Sequence, residues 1–232
     1  MARTQRNRQT SAGGLDRLPL RDEDGNYLAV VEVEAGSRNK YKFDPRLKAM
    51  LLHKVLPLGT SFPYCFGFLP STLGEDGDPL DVVLFMAEPA RPATCVPCRL
   101  VGIIEAEQSE KKQTIRNDRL LAVAVESRRY AECRRLSDLS DEVLDEIERF
   151  FTFYHQQDGV EFKALRRRGK ARCEILSCVG RLVRNAAAIS LLSFSVRSVM
   201  TGKYLKMIVF WIVLILGLAD AIYVLALTKT WH

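Results

Sequence analysis

The sequence has little cysteine and lacks an arrangement of it that would hold a small secreted fold. Among 232 residues there are six cysteines, and their scatter does not match a disulfide scaffold. Cys95 and Cys98 form a C-x-x-C pair, but a zinc site needs a second ligand pair and a thioredoxin-like site needs a helix that starts at the motif. Pro97 and Arg99 lead instead into strand-like sequence. We therefore predict ordinary reduced cysteines.

Internal repeats, low-complexity tracts and a secretory signal are also missing. Apolar residues make up 47% and charged residues 27%, which excludes a wholly disordered or fibrous chain. The net charge of +6 suits an anionic partner, and it equally suits solubility alone. The basic run 163–172 lacks an aromatic stacking platform, so we expect a solvated loop and helix start there and no nucleic-acid partner.

Long hydrophobic runs are absent up to residue 185, and one follows later. Residues 1–14 contain three arginines and no acid, which predicts disorder. Residues 15–182 are expected to form the folded domain, and 183–206 a linker or amphipathic helix. The apolar run 207–227 would extend ~31 Å as a helix, enough to span a bilayer. Basic residues before this run favour a cytoplasmic domain anchored to the membrane. A packed helix, or unrelated sequence joined to the domain, stays an alternative.

Short apolar segments separated by turns predict a mainly β fold of the α+β class. Strands are expected at 28–33, 40–43, 51–58, 62–69, 82–86, 100–104 and 120–125. Many short strands at close spacing are typical of a barrel or a sandwich. A helix is predicted from Ser140, which can cap it, and a second helix over 170–182.

The acidic loop, residues 72–84, indicates chemistry most directly. Asp76, Asp78 and Asp81 lie within six residues, with Gly77 permitting a sharp turn and Pro79 fixing the backbone. Crowded carboxylates repel each other unless cations neutralise them. Hard oxygen ligands of this kind suit Mg²⁺ or Mn²⁺, which could clamp a phosphate and activate water.

Other interpretations of the acidic loop fit less well. Counted from Asp76, an EF-hand would need glycine and glutamate where the sequence has Asp81 and Ala87. Aspartyl-phosphate enzymes place their acids after a buried strand, whereas here the apolar strand follows the acids. A plain acidic turn is the remaining alternative to a metal site.

The sequence Asp-Gly-Asp-Pro-Leu-Asp-Val at 76–82 resembles the signature of the soluble family I inorganic pyrophosphatases. The resemblance covers residues 15–182 and continues, in family order, through 31–41, 62–72, 99–102, 118–123 and 150–154. The chain is thus identified as a divergent member of that family, with an added apolar segment after the domain.

This resemblance implies a five-stranded, OB-like closed barrel with flanking helices and Mg²⁺-dependent hydrolysis of pyrophosphate. It also implies a homo-oligomer. The metal ligands would be Asp76, Asp78 and Asp81, and Asp78 would accept a proton from water. The remaining active-site residues implied are Glu32, Lys40, Lys54, Arg119 and Tyr154, the last four of which would bind phosphate.

Seven positions depart from the family pattern. The family has acids where this sequence has Lys42, Gln108 and Asn117, although Asp118 is adjacent to the last. It has arginine at Lys54, tyrosine at Phe66, and lysine at Arg119 and His155. Glu105 and Glu107, on one strand face, could replace the missing negative charge. Two alternatives to a pyrophosphatase follow: a non-catalytic phosphate-binding or scaffolding subunit at a membrane, and a hydrolase of another phosphoanhydride.

Overall fold

The computed structural model describes residues 14–110 and 113–170, which form a mainly β structure with one α-helix. The predicted mainly β class is thus confirmed. The strands are β1 (Tyr27–Val33), β2 (Asn39–Asp44), β3 (Ala49–Val55), β4 (Cys65–Phe68), β5 (Asp81–Phe85), β6 (Cys95–Glu110), β7 (Gln113–Arg116), β8 (Arg119–Ala124) and β9 (Glu161–Gly169). The helix α1 spans Asp141–Gln156, and single 3₁₀ turns span Leu15–Arg17 and Leu136–Asp138.

Five strands pair in a ring in the order β1, β4, β5, β8 and β6, and β6 pairs back with β1. All of these pairings are antiparallel except that of β5 with β8. Strands β7 and β9 extend the sheet from β6, while β2 and β3 form a separate two-stranded hairpin. The OB-like barrel classification stays a prediction, and it is the ring that positions the site.

Strand β6 is far longer than the predicted segment 100–104. It runs from Cys95 to Glu110 and pairs in turn with β1, β8, β7 and β9. Register shifts near Gly102 and Ala106 bend it, as β-bulges do. The polar C-terminal half is a strand because it has partners on both sides, which local hydrophobicity does not reveal.

The prediction of a loop and helix start at 163–172 is wrong for most of that segment. Strand β9 occupies residues 161–169 and pairs antiparallel with β6, with Arg166 opposite Glu105. Phe162 is buried, whereas most of the basic side chains are exposed. Charged side chains on a strand of this kind discourage pairing with other chains, which accounts for the basic run in structural terms.

Helix α1 begins where the sequence predicts. The Ser140 hydroxyl accepts a hydrogen bond from the backbone N–H of Val143 at 3.4 Å, and acids in the first turn suit the helix dipole. Its buried face packs on the ring through Leu144, Ile147 and Phe151. The predicted helix at 170–182 and the segments 183–206 and 207–227 lie outside the described residues. Within 14–110 and 113–170, no helix has the length and apolarity needed to cross a bilayer.

Candidate active site

Contacts link the ring to the hairpin through the predicted site residues. Lys40 Nζ on β2 lies 2.5 Å from Glu32 Oε2 on β1 and 4.4 Å from the centre of the Phe66 ring. The Arg119 guanidinium lies 5.8 Å from the centre of the same ring, so these residues form one connected network. Arg119 Nη1 is 2.8 Å from Asp81 Oδ2. Strands β1, β2, β4, β5 and β8 therefore each contribute a side chain to one site.

The acidic loop is held by its own backbone and by Thr72. The buried Thr72 Oγ1 accepts a hydrogen bond from the N–H of Leu80 at 2.9 Å, which closes the base of the loop. At the tip, the N–H of Asp78 donates to Asp76 Oδ1 at 3.1 Å. Gly77 has φ +86°, a conformation that side chains with a Cβ rarely adopt. The loop is thus preformed with its three carboxylates near the hairpin and Arg119.

Glu32 lies at an irregularity in β1, where the register with β4 shifts between Val31 and Val33. Bulges of this kind commonly re-aim a side chain beside an active site. Here Glu32 Oε1 accepts from the N–H of Phe43 at 3.2 Å, and Oε2 accepts from Lys40. The buried carboxylate therefore fixes the hairpin to the ring and orients Lys40, which is a positioning role.

Lys40 and Lys54 face each other directly across the hairpin. Like charges in such a pair repel, so nearby anions stabilise them. Lys54 Nζ donates to both carboxylate oxygens of Asp158 at 2.8 Å and lies 4.6 Å from the centre of the Tyr154 ring. Sequence reasoning missed Asp158, because it comes from the turn after α1 and no motif marks it. The pair of lysines, each with one carboxylate partner, is suited to exchange that partner for a phosphate.

Arg119 is buried and joins three elements. Besides Asp81, it contacts the side chain of Asn117, and its Nη2 lies 3.1 Å from His155 Nε2 on α1. The His155 ring stacks on Phe162, with centroids 5.0 Å apart and planes 4° from parallel. Burial, with a smaller contribution from Arg119, lowers the pKa of His155 to about 3. His155 is therefore a neutral acceptor for Arg119 and adds no charge where the family has a lysine.

We expect His155 to make the stability of the protein depend on pH below about 6.5. The unfolded chain binds a proton at this ring near pH 6.5, whereas the folded chain does so only near pH 3. The contribution of His155 to stability is therefore fully present above pH 6.5 and is lost, at up to about 1.4 kcal/mol per pH unit, as the pH drops toward 3. His155→Gln, which keeps an acceptor for Arg119, should reduce this loss when urea midpoints are compared at pH 7 and pH 5.

The exposed His53 provides the control for that comparison. His53→Gln should keep the pH dependence of the parent protein. Loss of hydration raises the pKa of Asp81 to about 6, so this group changes stability in the opposite direction between pH 4 and 6. Because Asp81 is present in the parent and in both variants, the difference in pH dependence between the parent and His155→Gln reports the contribution of His155. Equal slopes in the parent and in His155→Gln would contradict the assignment.

The positions at which the family has two further acids hold an amide pair. Asn117 Nδ2 donates to Gln108 Oε1 at 2.5 Å, and Asn117 Oδ1 accepts from Arg119. Asp118 is engaged elsewhere, accepting from the N–H of Ala106 at 2.8 Å and from Arg116 Nη2 at 2.7 Å. These amides hydrogen bond to each other and to Arg119 and bring no negative charge.

Glu105 does not replace the missing charge in the way the sequence suggested. Its carboxylate lies 3.8 Å from Arg116 Nη2 and 3.7 Å from Arg168 Nε. Two arginines therefore balance this buried acid, which fastens β7 and β9 to β6.

The donor set of the acidic loop fits a divalent cation. Burial raises the pKa values of Asp76 and Asp81, and the Asp78 charge adds to the effect on Asp76. Such carboxylates gain from a bound cation, and their oxygens are the ligands that Mg²⁺ prefers. Within 14–110 and 113–170, however, no three His, Cys, Asp or Glu side chains stand together as a ready metal cluster. Asp78 and Asp81 instead pair with Lys42 and Arg119.

The cysteine prediction is confirmed for the residues that the structure describes. Cys65, Cys95, Cys98 and Cys133 are free thiols. Cys95 and Cys98 lie within strand β6, and burial raises the pKa of Cys98 to about 12. The strand position and the raised thiol pKa are unlike those of a reactive thioredoxin-like pair.

Comparison with known proteins assigns this arrangement to a family. Residues 29–182 match the inorganic pyrophosphatase family. The chain is 34% identical over 173 residues to the inorganic pyrophosphatase of Thermus thermophilus, covering 72% of this chain and 97% of that protein. It is 37% identical over 140 residues to that of Nostoc sp., covering 60% and 80%. The solved structure of the T. thermophilus enzyme matches with a TM-score of 0.68 at 31% identity, covering 74% of this chain and 99% of that one. The chain therefore belongs to the inorganic pyrophosphatase family.

Proposed function

We propose that this enzyme hydrolyses inorganic pyrophosphate to two phosphates at the network around Arg119, with Mg²⁺ as its cofactor and Mn²⁺ as a substitute. Family membership supports the reaction. The observation that supports the location is the continuous set of contacts from the acidic loop through Arg119 to Lys40. Mg²⁺ would be held by Asp76, Asp78 and Asp81.

The cationic side chains would bind the substrate. Lys40 and Lys54, opposite each other on the hairpin, would neutralise the oxygens of one phosphate, and the Tyr154 hydroxyl would donate to the same group. Arg119 would bind phosphate by exchanging its Asp81 partner for phosphate oxygens, to which its planar guanidinium is suited. These groups stabilise the charge that develops as the bridging bond breaks.

Asp78 would serve as the proton acceptor. When bound, the divalent cation supplies charge neutralisation and a water of lowered pKa. As a water oxygen bonds to one phosphorus, the bond from that phosphorus to the bridging oxygen breaks. The water proton passes to Asp78 and then to the leaving phosphate, so that atoms and charges balance. Glu32 acts through Lys40 and holds its ammonium in position.

Replacement of Asp78 tests this proposal. We expect Asp78→Asn in the full chain to lower phosphate release from pyrophosphate at least about a hundredfold with Mg²⁺ or Mn²⁺, because an amide does not accept the proton. Asp24→Asn, at an exposed acid outside the network, is the matched control and should release phosphate at the parent rate. Turnover by Asp78→Asn at the parent rate would contradict the assignment of Asp78 as the proton acceptor.

The same assay separates the alternatives. If the parent chain binds pyrophosphate but releases no phosphate at any Mg²⁺ concentration, it is a binding or scaffolding subunit. The Gln108–Asn117 amide pair favours this alternative, because amides bring no negative charge to hold a metal ion. Faster turnover of a nucleotide or short polyphosphate would instead indicate another phosphoanhydride, with Phe66 and His155 shaping the pocket.

A homo-oligomer and a cytoplasmic, membrane-attached location remain part of the proposal. The hairpin and the loop after it expose five large apolar side chains, namely Leu47, Leu51, Leu52, Val55 and Leu58. A second copy packed on these side chains would remove their apolar surface from water. Attachment through 207–227 rests on the sequence alone.

A further inference from the structure

Lys42 makes a contact for which the proposed reaction has no use. It follows Lys40 by two residues on β2, so both lysines project from the same face of the hairpin. Lys40 pairs with Glu32, and Lys42 Nζ lies 2.7 Å from Asp78 Oδ2. The negative charges of Glu32 and Asp76 also act on the Lys42 ammonium. A positive charge of the chain itself therefore lies among the carboxylates proposed to bind metal.

The side chains around this contact add little negative charge. The amides Gln108 and Asn117 hydrogen bond to each other, and Asn117 also accepts from Arg119. His155 is neutral. Because Lys42 pairs with Asp78, a cation of the chain itself balances part of the carboxylate charge at which a metal ion would bind.

The contact with Lys42 occupies one of the two carboxylate oxygens of Asp78. Oδ2 is paired with Lys42, so only Oδ1 is left for the other roles proposed for Asp78. With amides at positions 108 and 117, a second metal ion would have few anionic ligands to hold it.

We propose that the Lys42 ammonium stands in place of one divalent cation at Asp78, so that this enzyme binds fewer metal ions than it would with a carboxylate at position 42. The inference rests on the proposed function, in which Asp78 is both metal ligand and proton acceptor. Lys42 is thus a residue that sets the metal requirement of the reaction.

Metal titration without substrate tests this inference. The full chain and its Lys42→Glu and Lys42→Gln variants are titrated with Mn²⁺, and the free ion is followed by electron paramagnetic resonance. Removing a positive charge within ~4–6 Å of a ligand should strengthen binding by about tenfold or more. We expect Lys42→Glu to bind one additional Mn²⁺ per chain, and Lys42→Gln to bind Mn²⁺ about tenfold more tightly than the parent.

Lys48→Glu is the matched control, since it makes the same charge change at an exposed residue in the turn of the hairpin. It should bind Mn²⁺ as the parent does. Parent-like number and affinity in both Lys42 variants would overturn the inference. If circular dichroism shows that Lys42→Glu does not fold, Lys42→Gln decides alone. Because the titration needs no pyrophosphate, its result is separate from phosphate release by the parent chain, which tests the proposed function.

Discussion

Arg119→Gln is expected to lower kcat/KM for pyrophosphate about a thousandfold. The variant removes a preorganised donor that would stabilise the negative charge developing on the phosphate. Three consequences combine. The substrate loses a bidentate cation, the Asp81 carboxylate loses the partner now 2.8 Å away, and His155 loses its donor. The measurement is steady-state phosphate release at saturating Mg²⁺, with the thermal midpoint of each protein determined alongside.

A second variant at this position shows whether the charge or the shape of the side chain matters, and a variant elsewhere is the control. Arg119→Lys keeps the positive charge, but its single ammonium cannot reach Asp81, Asn117 and His155 together as the guanidinium does. We therefore expect an intermediate loss of kcat/KM. Arg91→Gln, at an arginine whose side chain is 84% exposed, should change kcat/KM less than twofold. Activity of Arg119→Gln within threefold of the parent would mean that phosphate is bound elsewhere.

Gly67→Ala is expected to prevent stable folding. A Cβ at Gly67 would lie 1.9 Å from the Val30 carbonyl oxygen and 2.8 Å from the carbonyl carbon of the same residue. Those atoms are backbone of β1, paired with β4 in the ring, so no side chain can rotate away. Strands β1 and β4 must separate instead, which should cost more than about 4 kcal/mol of unfolding free energy, an exceptional value for one methyl group.

The measurement is the urea midpoint, or the soluble yield where no folded protein is recovered. Gly169→Ala is the control, because a Cβ at Gly169 meets no atom of the described residues within 4 Å and the strand conformation tolerates it. We expect that control to unfold within about 0.5 kcal/mol of the parent. A Gly67→Ala protein of normal stability would show that β1 and β4 lie farther apart than described here.

The features predicted well from the sequence are those encoded locally. The helix after Ser140 is marked by its cap and by the spacing of Leu144, Ile147 and Phe151. The turn of the acidic loop is marked by Gly77, whose positive φ the structure confirms. In both cases the residues that determine the structure lie within one short segment.

The features missed depend on contacts between distant segments. Strand β9 contains nine residues with mostly exposed charges, and only its pairing with β6 makes it a strand. Asp158 reaches Lys54 across 104 residues, and Lys42 reaches Asp78 across 36. The resemblance predicted which positions form the site, but not which anion each cation would contact. Register and side-chain pairing decide that, and neither is encoded locally.

The division of the site between two sheets has a consequence for how such enzymes diverge. Lys40, Lys42 and Lys54 lie on the hairpin, which is not hydrogen bonded into the ring as a strand, whereas Asp81 and Arg119 lie on buried ring strands. Substitutions on the hairpin can change the charge of the site without disturbing the packing of the ring. Natural selection can therefore adjust the charge of the proposed site by changing residues on the mostly exposed hairpin.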